Sequence, residues 1–124
     1  DGERYLGPEH YYQVMKSFGT PDHEKAQREM KTASDMEAWR IGNVHALRTD
    51  WDTARVEVMR KAVQAKFHQH EELAKLLLST RPHPLVQVKP GDSFWGSGRH
   101  SNGQNMLGVL LCEVRHQLAT SLER

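Results

Sequence analysis

Residues 51–67 read WDTARVEVMRKAVQAKF, and the spacing of the apolar side chains in this stretch decides the fold class. These side chains recur every three or four residues, which is the period of a helix. They form two stripes, Trp51, Ala54, Val58 and Ala65 on one and Val56, Met59, Val63 and Phe67 on the other. Because a helix with two apolar stripes packs on more than one side, we predict a long helix with neighbours on several sides.

The pattern predicts further helices on both sides of this one. Those before it run from Pro8 to Phe18, Asp22 to Lys31 and Asp35 to His45, and those after it from Glu71 to Ser79 and Gln104 to Leu122. Pro8 suits an early helical position, and Ser34 with Glu37 forms a capping box. Leu85–Val88 is short and β-branched, so we predict a strand there. The sequence therefore predicts a mainly helical domain with little sheet.

The composition limits the class of protein. A chain of 124 residues has the length of one domain. Seventeen basic and sixteen acidic residues leave a net charge of +1, which argues against binding of long nucleic acid through its backbone charge. The only cysteine, Cys112, follows two leucines and is expected to act as a small buried hydrophobic residue. Neither a membrane-spanning run nor a signal peptide is visible, so we expect an intracellular, cytoplasmic protein without a membrane partner.

The first helix carries one polar face. A helical wheel places Glu9, Tyr12, Gln13 and Lys16 together on this face. The opposite face is apolar and should contact the core; it holds Tyr11, Val14, Met15 and Phe18. Glu9 and Lys16 lie roughly 10 Å apart along the axis, too far to pair simply, and could converge on a ligand. The alternative is an ordinary solvated face of an amphipathic helix.

A second cluster of polar and aromatic residues follows the predicted strand. Residues 94–103 read FWGSGRHSNG and lead into the last helix, with Ser101 or Asn102 as its N-cap. Free backbone N–H groups at a helix N-terminus attract anions, and Arg99 adds positive charge. Trp95 could stack on a base. We therefore expect either a site for a phosphate and a base, or a buried Trp95 that anchors a structural turn.

The sequence contains no recognisable metal-binding motif. His68 and His70 are two residues apart on a helix, so their side chains diverge. No His-Glu-x-x-His pattern and no pair of cysteines is present. We expect neither a metal ion nor a cofactor.

Five blocks of sequence span nearly the whole chain in order. They are Glu9-His10-Tyr11-Tyr12-Gln13 with Lys16, Leu47-Arg48 with Trp51, the helix segments Met59-Arg60-Lys61-Ala62, Ala65-Lys66-Phe67 and Gln69-His70, Asp92-Ser93-Phe94-Trp95-Gly96, and Gly103-Gln104-Asn105-Met106-Leu107-Gly108 with Leu110-Leu111 and Val114-Arg115. Together these blocks resemble the motifs of the YbiA-like, or NADAR, family. Two features depart from that family: its opening strand is not found here, and Ser97 stands where a common WGDG motif has a carboxylate.

The resemblance implies a single α+β domain over residues 1–124, mainly helical with a short strand element and lacking the family's N-terminal strand. It also implies N-glycosidase activity. The first substrate expected is ADP-ribosylated guanine in nucleic acid, from which ADP-ribose would be removed. The alternative is a small nucleotide-like N-glycoside, namely a ribosylamine intermediate of riboflavin biosynthesis.

Residues matching the family's important positions are Glu9, Lys16, Trp51 and Asp92. Glu9 would transfer protons, and Lys16 would attack the anomeric carbon to form a Schiff base. Asp92 would orient the ribose hydroxyls or stabilise developing positive charge. Direct attack by water, with Glu9 as the base, is the alternative route. Trp51 or Trp95 would stack on the base. The expected substrate-binding residues are Tyr12, Trp51, Trp95, Arg99 and Asn105.

A function of another class also fits the residues. The domain could bind ADP-ribose or a nucleotide without cleaving it, and Ser97 in place of a carboxylate would suit such a degenerate copy. We also predict that one pocket is lined by five of these residues: Glu9, Lys16, Trp51, Asp92 and Trp95.

Overall fold

The computed structural model describes residues 7–122, and that part of the chain is built from six helices. They are α1 (Pro8–Met15), α2 (His23–Met30), α3 (Asp35–Val44), α4 (Trp51–Gln69), α5 (Glu71–Ser79) and α6 (Met106–Leu122). The chain divides into two compact units, Asp1–Ala62 and Val63–Arg124, with the division inside α4. Within residues 7–122 no helix has the length and apolar character needed to cross a bilayer.

The first unit is organised by α1 and α3, which pack against each other and against α2. Its buried core includes Val14, Met30, Ala38 and Ile41. The predicted capping box at the start of α3 is confirmed: Glu37 N donates to Ser34 Oγ at 3.2 Å, and Ser34 N donates to Glu37 Oε1 at 3.0 Å. This pair satisfies two backbone N–H groups that a helix start leaves open.

Helix α1 is shorter than predicted, since it ends at Met15 rather than Phe18. The next turn tightens: Lys16 N donates to Gln13 O at 3.4 Å, and Ser17 N donates to Val14 O at 3.2 Å. Gly19 then adopts a positive φ of 82°, which glycine reaches without steric penalty. The turn directs the chain away from α1 and toward α2.

The second unit pairs α5 with α6. Leu110 and Val114, four residues apart on α6, are fully buried and form part of the core of this unit. Arg115 follows them and is also buried. Its Nη1 donates to Thr80 Oγ1 at 2.9 Å and to His83 O at 2.7 Å, so the guanidinium ties α6 to the turn after α5.

The predicted strand at Leu85–Val88 is wrong, and with it the α+β class, because residues 7–122 contain no strand. The segment has no partner strand, and other groups satisfy its backbone. Asn105 Nδ2 donates to Leu85 O at 2.8 Å, while Gln87 N donates to Asn105 Oδ1 at 2.9 Å. Gln87 O accepts Ser97 N at 2.8 Å. The backbone of this segment therefore bonds to the Asn105 amide and to the loop residue Ser97, and not to a neighbouring strand.

This arrangement makes Asn105 a strong test of the fold. Replacing it in the variant Asn105→Ala should destabilise the protein by about 1–3 kcal/mol, because two backbone groups lose their partners. The positive φ of 50° at Asn105 adds to the loss, since alanine tolerates this conformation less well. Urea unfolding of the two proteins measures the difference.

Asn102→Ala is the matched control, because Asn102 is exposed and lies in the same loop. Its stability should stay within about 0.5 kcal/mol of the wild type. Equal effects of the two substitutions would show that the Asn105 amide does not hold residues 85–87.

Candidate functional site

The polar face of α1 is not solvated as a whole. Tyr12 is 8% exposed and Gln13 is 4% exposed, so the alternative of an ordinary solvated face is wrong for these two residues. Only Glu9 and Lys16, at the two ends of the face, are half-buried and reach solvent. A buried phenol and amide between two partly exposed ionisable groups is unusual for a helix surface.

Glu9 is held by the buried amide. Gln13, one helical turn further on, donates from Nε2 to Glu9 Oε1 at 2.7 Å. Within residues 7–122 the second oxygen, Oε2, has no hydrogen-bond partner. The half-buried carboxylate therefore has one oxygen fixed by the protein and one oxygen without a hydrogen bond to residues 7–122.

Lys16 ends the face. Burial lowers the pKa of its amine below the ordinary value of 10.5, and the negative charge of Glu9 acts in the opposite direction but more weakly. The ammonium lies 5.7 Å from the centre of the Tyr12 ring. A lysine with a lowered pKa has a larger neutral fraction at a given pH, and only the neutral amine is a nucleophile.

Trp51 closes the same region from the start of α4. It is 8% exposed and meets the Tyr12 ring edge to face, with ring centres 5.0 Å apart. Arg48 fixes this position, since its backbone N–H donates to Lys16 O at 2.7 Å and its own carbonyl accepts Trp51 N at 3.3 Å. The tryptophan is thus part of the wall of the site, and its stacking on a base stays a prediction.

Arg48 belongs to the Leu47-Arg48 motif and is not among the residues predicted for the site. Its guanidinium binds Asp50 through two hydrogen bonds, Nε to Oδ1 at 2.6 Å and Nη2 to Oδ2 at 2.9 Å. The same group lies 5.2 Å from the centre of the Phe18 ring. The hydrogen bond and charge of Arg48 lower the pKa of Asp50. In the sequence, this ion pair is indicated by an arginine and an aspartate two residues apart, directly before α4.

In the second unit, Asp92 organises the glycine-rich loop. Its Oδ1 accepts two backbone N–H groups, from Phe94 at 3.0 Å and from Trp95 at 2.8 Å. Its carbonyl oxygen also accepts Gly98 N at 3.1 Å. The carboxylate therefore shapes the turn that carries Trp95. A direct role for Asp92 toward a ribose stays a prediction.

The start of α6 is not an open anion site. Gly103, Gln104 and Asn105 donate their backbone N–H groups to Ser97 O, Ser93 O and Gly96 O at 2.7, 2.7 and 3.0 Å. Met106 N and Leu107 N donate to Phe94 O and Trp95 O at 2.9 and 3.0 Å. The loop carbonyls thus accept hydrogen bonds from N–H groups that the sequence analysis expected to be free for an anion. Because α6 begins at Met106, the proposed N-caps Ser101 and Asn102 lie upstream of it.

The remaining predicted residues of this unit differ in exposure. Trp95 is half-buried and packs edge to face on Phe94, with ring centres 4.8 Å apart. Arg99 is exposed. Asn105 uses its amide to bind the backbone of Leu85 and Gln87. Substrate contacts of all three stay predictions.

Four predicted residues therefore meet in the first unit: Glu9, Tyr12, Lys16 and Trp51. Asp92, Trp95, Arg99 and Asn105 belong to the second unit, and one pocket shared by both groups stays a prediction. A cavity of about 350 Å³ lies among Arg81, Cys112, Arg115 and His116, and none of the predicted residues lines it. Across residues 7–122, no three His, Cys, Asp or Glu side chains are grouped so as to hold a metal ion.

Comparison with known proteins gives a consistent picture. A model of the NADAR domain matches residues 1–119. The N-glycosidase YbiA of Escherichia coli is 43% identical over 121 residues, which cover 96% of this chain and 74% of that protein. The NMR structure of E. coli YbiA superposes with a TM-score of 0.85, covering 100% of this chain and 73% of that one. The chloroplastic riboflavin biosynthesis protein PYRR of Zea mays is 38% identical over 95% of this chain and 21% of its own length.

Proposed function

Because the chain belongs to the NADAR domain family, we propose that it is an N-glycosidase that hydrolyses the bond between a ribose anomeric carbon and an exocyclic nitrogen. The observation that carries the proposal is the polar face of α1. It presents Glu9 with one oxygen fixed by Gln13 and one open, together with the Lys16 amine, whose pKa is lowered. A carboxylate that can transfer protons and an amine with an increased neutral fraction suit this cleavage.

We propose Lys16 as the nucleophile. An N-riboside with an exocyclic nitrogen can open to an imine, in which the anomeric carbon is electrophilic. The neutral amine of Lys16 adds to this carbon, and Glu9 moves a proton from the amine to the departing nitrogen. The base leaves as a free amine while the sugar remains on Lys16 as a Schiff base. One water molecule then adds to the same carbon, releasing the sugar as its aldehyde and restoring the lysine amine.

Direct attack by water is the competing route. Glu9 would remove a proton from water as the water attacks the anomeric carbon, and Lys16 would only bind the substrate. The lowered pKa of Lys16 favours the first route, since an amine kept only for its charge gains nothing from a larger neutral fraction. Asp92 would orient the ribose hydroxyls on either route, and Trp51 or Trp95 would stack on the base.

Two substrate classes contain this bond. One is ADP-ribosylated guanine in nucleic acid, the first expectation from the sequence. The other is a ribosylamine intermediate of riboflavin biosynthesis, and the relationship to the maize riboflavin biosynthesis protein favours it. The net charge of +1 also favours a small ligand, because nucleic-acid binding usually requires a basic surface. The backbone N–H groups of residues 103–107 already donate to loop carbonyls, which removes one argument for a pyrophosphate.

The deciding experiment offers the purified protein each substrate in turn and follows released base and released sugar by chromatography. Release from the ribosylamine alone would assign the riboflavin class, and release from the ADP-ribosylated oligonucleotide alone would assign the other. Binding of either compound, measured by calorimetry, without release of base would replace the proposal with a non-catalytic binding module.

A further inference from the structure

Gln13 is a buried polar side chain with one unused group. It is 4% exposed, and its Nε2 donates to Glu9. Because a carboxylate can only accept, the amide nitrogen must face Glu9 and the amide oxygen must point away. That oxygen, Oε1, has no hydrogen-bond partner among residues 7–122. Burying an unpaired carbonyl opposes folding, so an apolar side chain of similar size would serve packing better.

Helix α3 makes room for this amide through Gly42. A Cβ at position 42 would lie 2.0 Å from Gln13 Oε1, 2.9 Å from its Cβ and 3.0 Å from its Cδ. These distances are far below van der Waals contact, so only glycine permits the observed position of the amide. A glycine inside a helix is itself destabilising compared with alanine. Gly42 and the unpaired oxygen thus impose two separate destabilising effects at one contact.

Both effects are explained if the contact serves Glu9. We propose that Gln13 is a positioning residue, which Gly42 holds in place so that its amide fixes Glu9 Oε1 and leaves Oε2 aimed at the substrate. Gln13 does not itself reach the reacting atoms. An exposed glutamate on a helix occupies several rotamers, and fixing one of its oxygens raises the fraction of molecules in which the other is correctly placed. The inference rests on the N-glycosidase activity proposed above.

Gln13→Met tests the inference, because methionine has nearly the same shape but no N–H group. We expect kcat to fall by roughly ten- to a hundredfold with KM changed by less than about threefold, as for loss of positioning at the reacting centre. The melting temperature should stay equal or rise, because the variant removes an unpaired buried oxygen. A purely structural role predicts the reverse: a lower melting temperature with kcat unchanged in the folded protein.

Gln117→Met is the matched control. Gln117 is half-buried, whereas Gln13 is buried, and it accepts a hydrogen bond from another glutamine, Gln64, at 3.4 Å. The same substitution there should leave kcat within about twofold of the wild type. If Gln13→Met does not fold, Gly42→Ala takes its place, since the added methyl group displaces the Gln13 amide without removing it. A folded Gly42→Ala protein with full kcat would overturn the inference.

A readout independent of turnover is the side-chain amide of Gln13 in ¹⁵N-labelled protein. Its protons should exchange slowly with solvent in the wild type, and their resonances should shift in Glu9→Ala. Unaffected resonances would overturn the contact. Full kcat in Gln13→Met would overturn the positioning role but leave the proposed activity intact. If the wild-type protein is inactive on both substrates, both proposals are overturned. This outcome differs from failure of the positioning role alone, in which the wild type is active.

Discussion

Glu9→Gln should lower turnover by roughly a hundredfold or more, the usual range for removing a general acid–base group. The structure explains why this substitution removes proton transfer but keeps the position of the side chain. A glutamine at position 9 keeps a carbonyl oxygen that can accept the bond from Gln13 Nε2, so the side chain retains its anchor. Only the ability to take up and release a proton is lost. The rate of base release under saturating substrate measures the effect.

Stability is the companion measurement for this variant. Glu9 is half-buried and keeps its main contact, so we expect a change within about 1 kcal/mol in the free energy of unfolding. Glu24→Gln is the control, because Glu24 is an exposed glutamate in the first turn of α2. Full activity of Glu9→Gln would remove Glu9 from acid–base chemistry. An inactive and unfolded variant would instead make Glu9 a structural residue.

Lys16 substitutions have the largest expected effect and separate the two routes. On the Schiff-base route, Lys16→Ala should abolish both turnover and the covalent adduct that borohydride traps. Lys16→Arg should be equally inactive there, because a guanidinium keeps its positive charge and cannot act as a nucleophile. On the water route, Lys16→Arg should retain appreciable turnover at saturating substrate. Mass spectrometry of the trapped protein and single-turnover kinetics measure the two effects.

The lowered pKa of Lys16 predicts a pH dependence with a definite sign. On the Schiff-base route, the rate should increase as the pH rises through the lowered pKa and level off above it, because the neutral amine is the reactive form. Stability should also increase with pH between the lowered pKa and the ordinary value of 10.5, since the unfolded chain binds more protons in that window. A rate that falls through this range would contradict nucleophilic attack by Lys16.

The helices illustrate what local sequence can predict. Periodic apolar residues placed α4 and α6, and a capping box placed the start of α3. These signals act between residues a few positions apart, so they operate before the tertiary structure forms. Helix boundaries depend on more distant groups: α6 begins two residues later than predicted, at Met106, because the loop before it binds residues 103–105 through their backbone.

The candidate site was predictable only in part. Glu9, Tyr12, Lys16 and Trp51 followed from helical spacing and from the family resemblance, and the first unit brings them together. The hydrogen bond from Gln13 to Glu9 was not predicted, although the two residues are one helical turn apart. The missing information was its burial, which depends on α3. A glycine inside a helix was the only sign of that close approach.

By itself, the amino-acid sequence determined the six helices, the polar face of α1 and the family, because helical periodicity and motif residues are local properties of the chain. Tertiary structure alone decided that Leu85–Val88 is not a strand, since a strand requires a partner and Asn105 satisfies that backbone instead. It also decided that the N–H groups before α6 are occupied and that Gln13 is buried against Gly42. Both depend on contacts between residues distant in sequence, and no local pattern encodes which distant groups will meet.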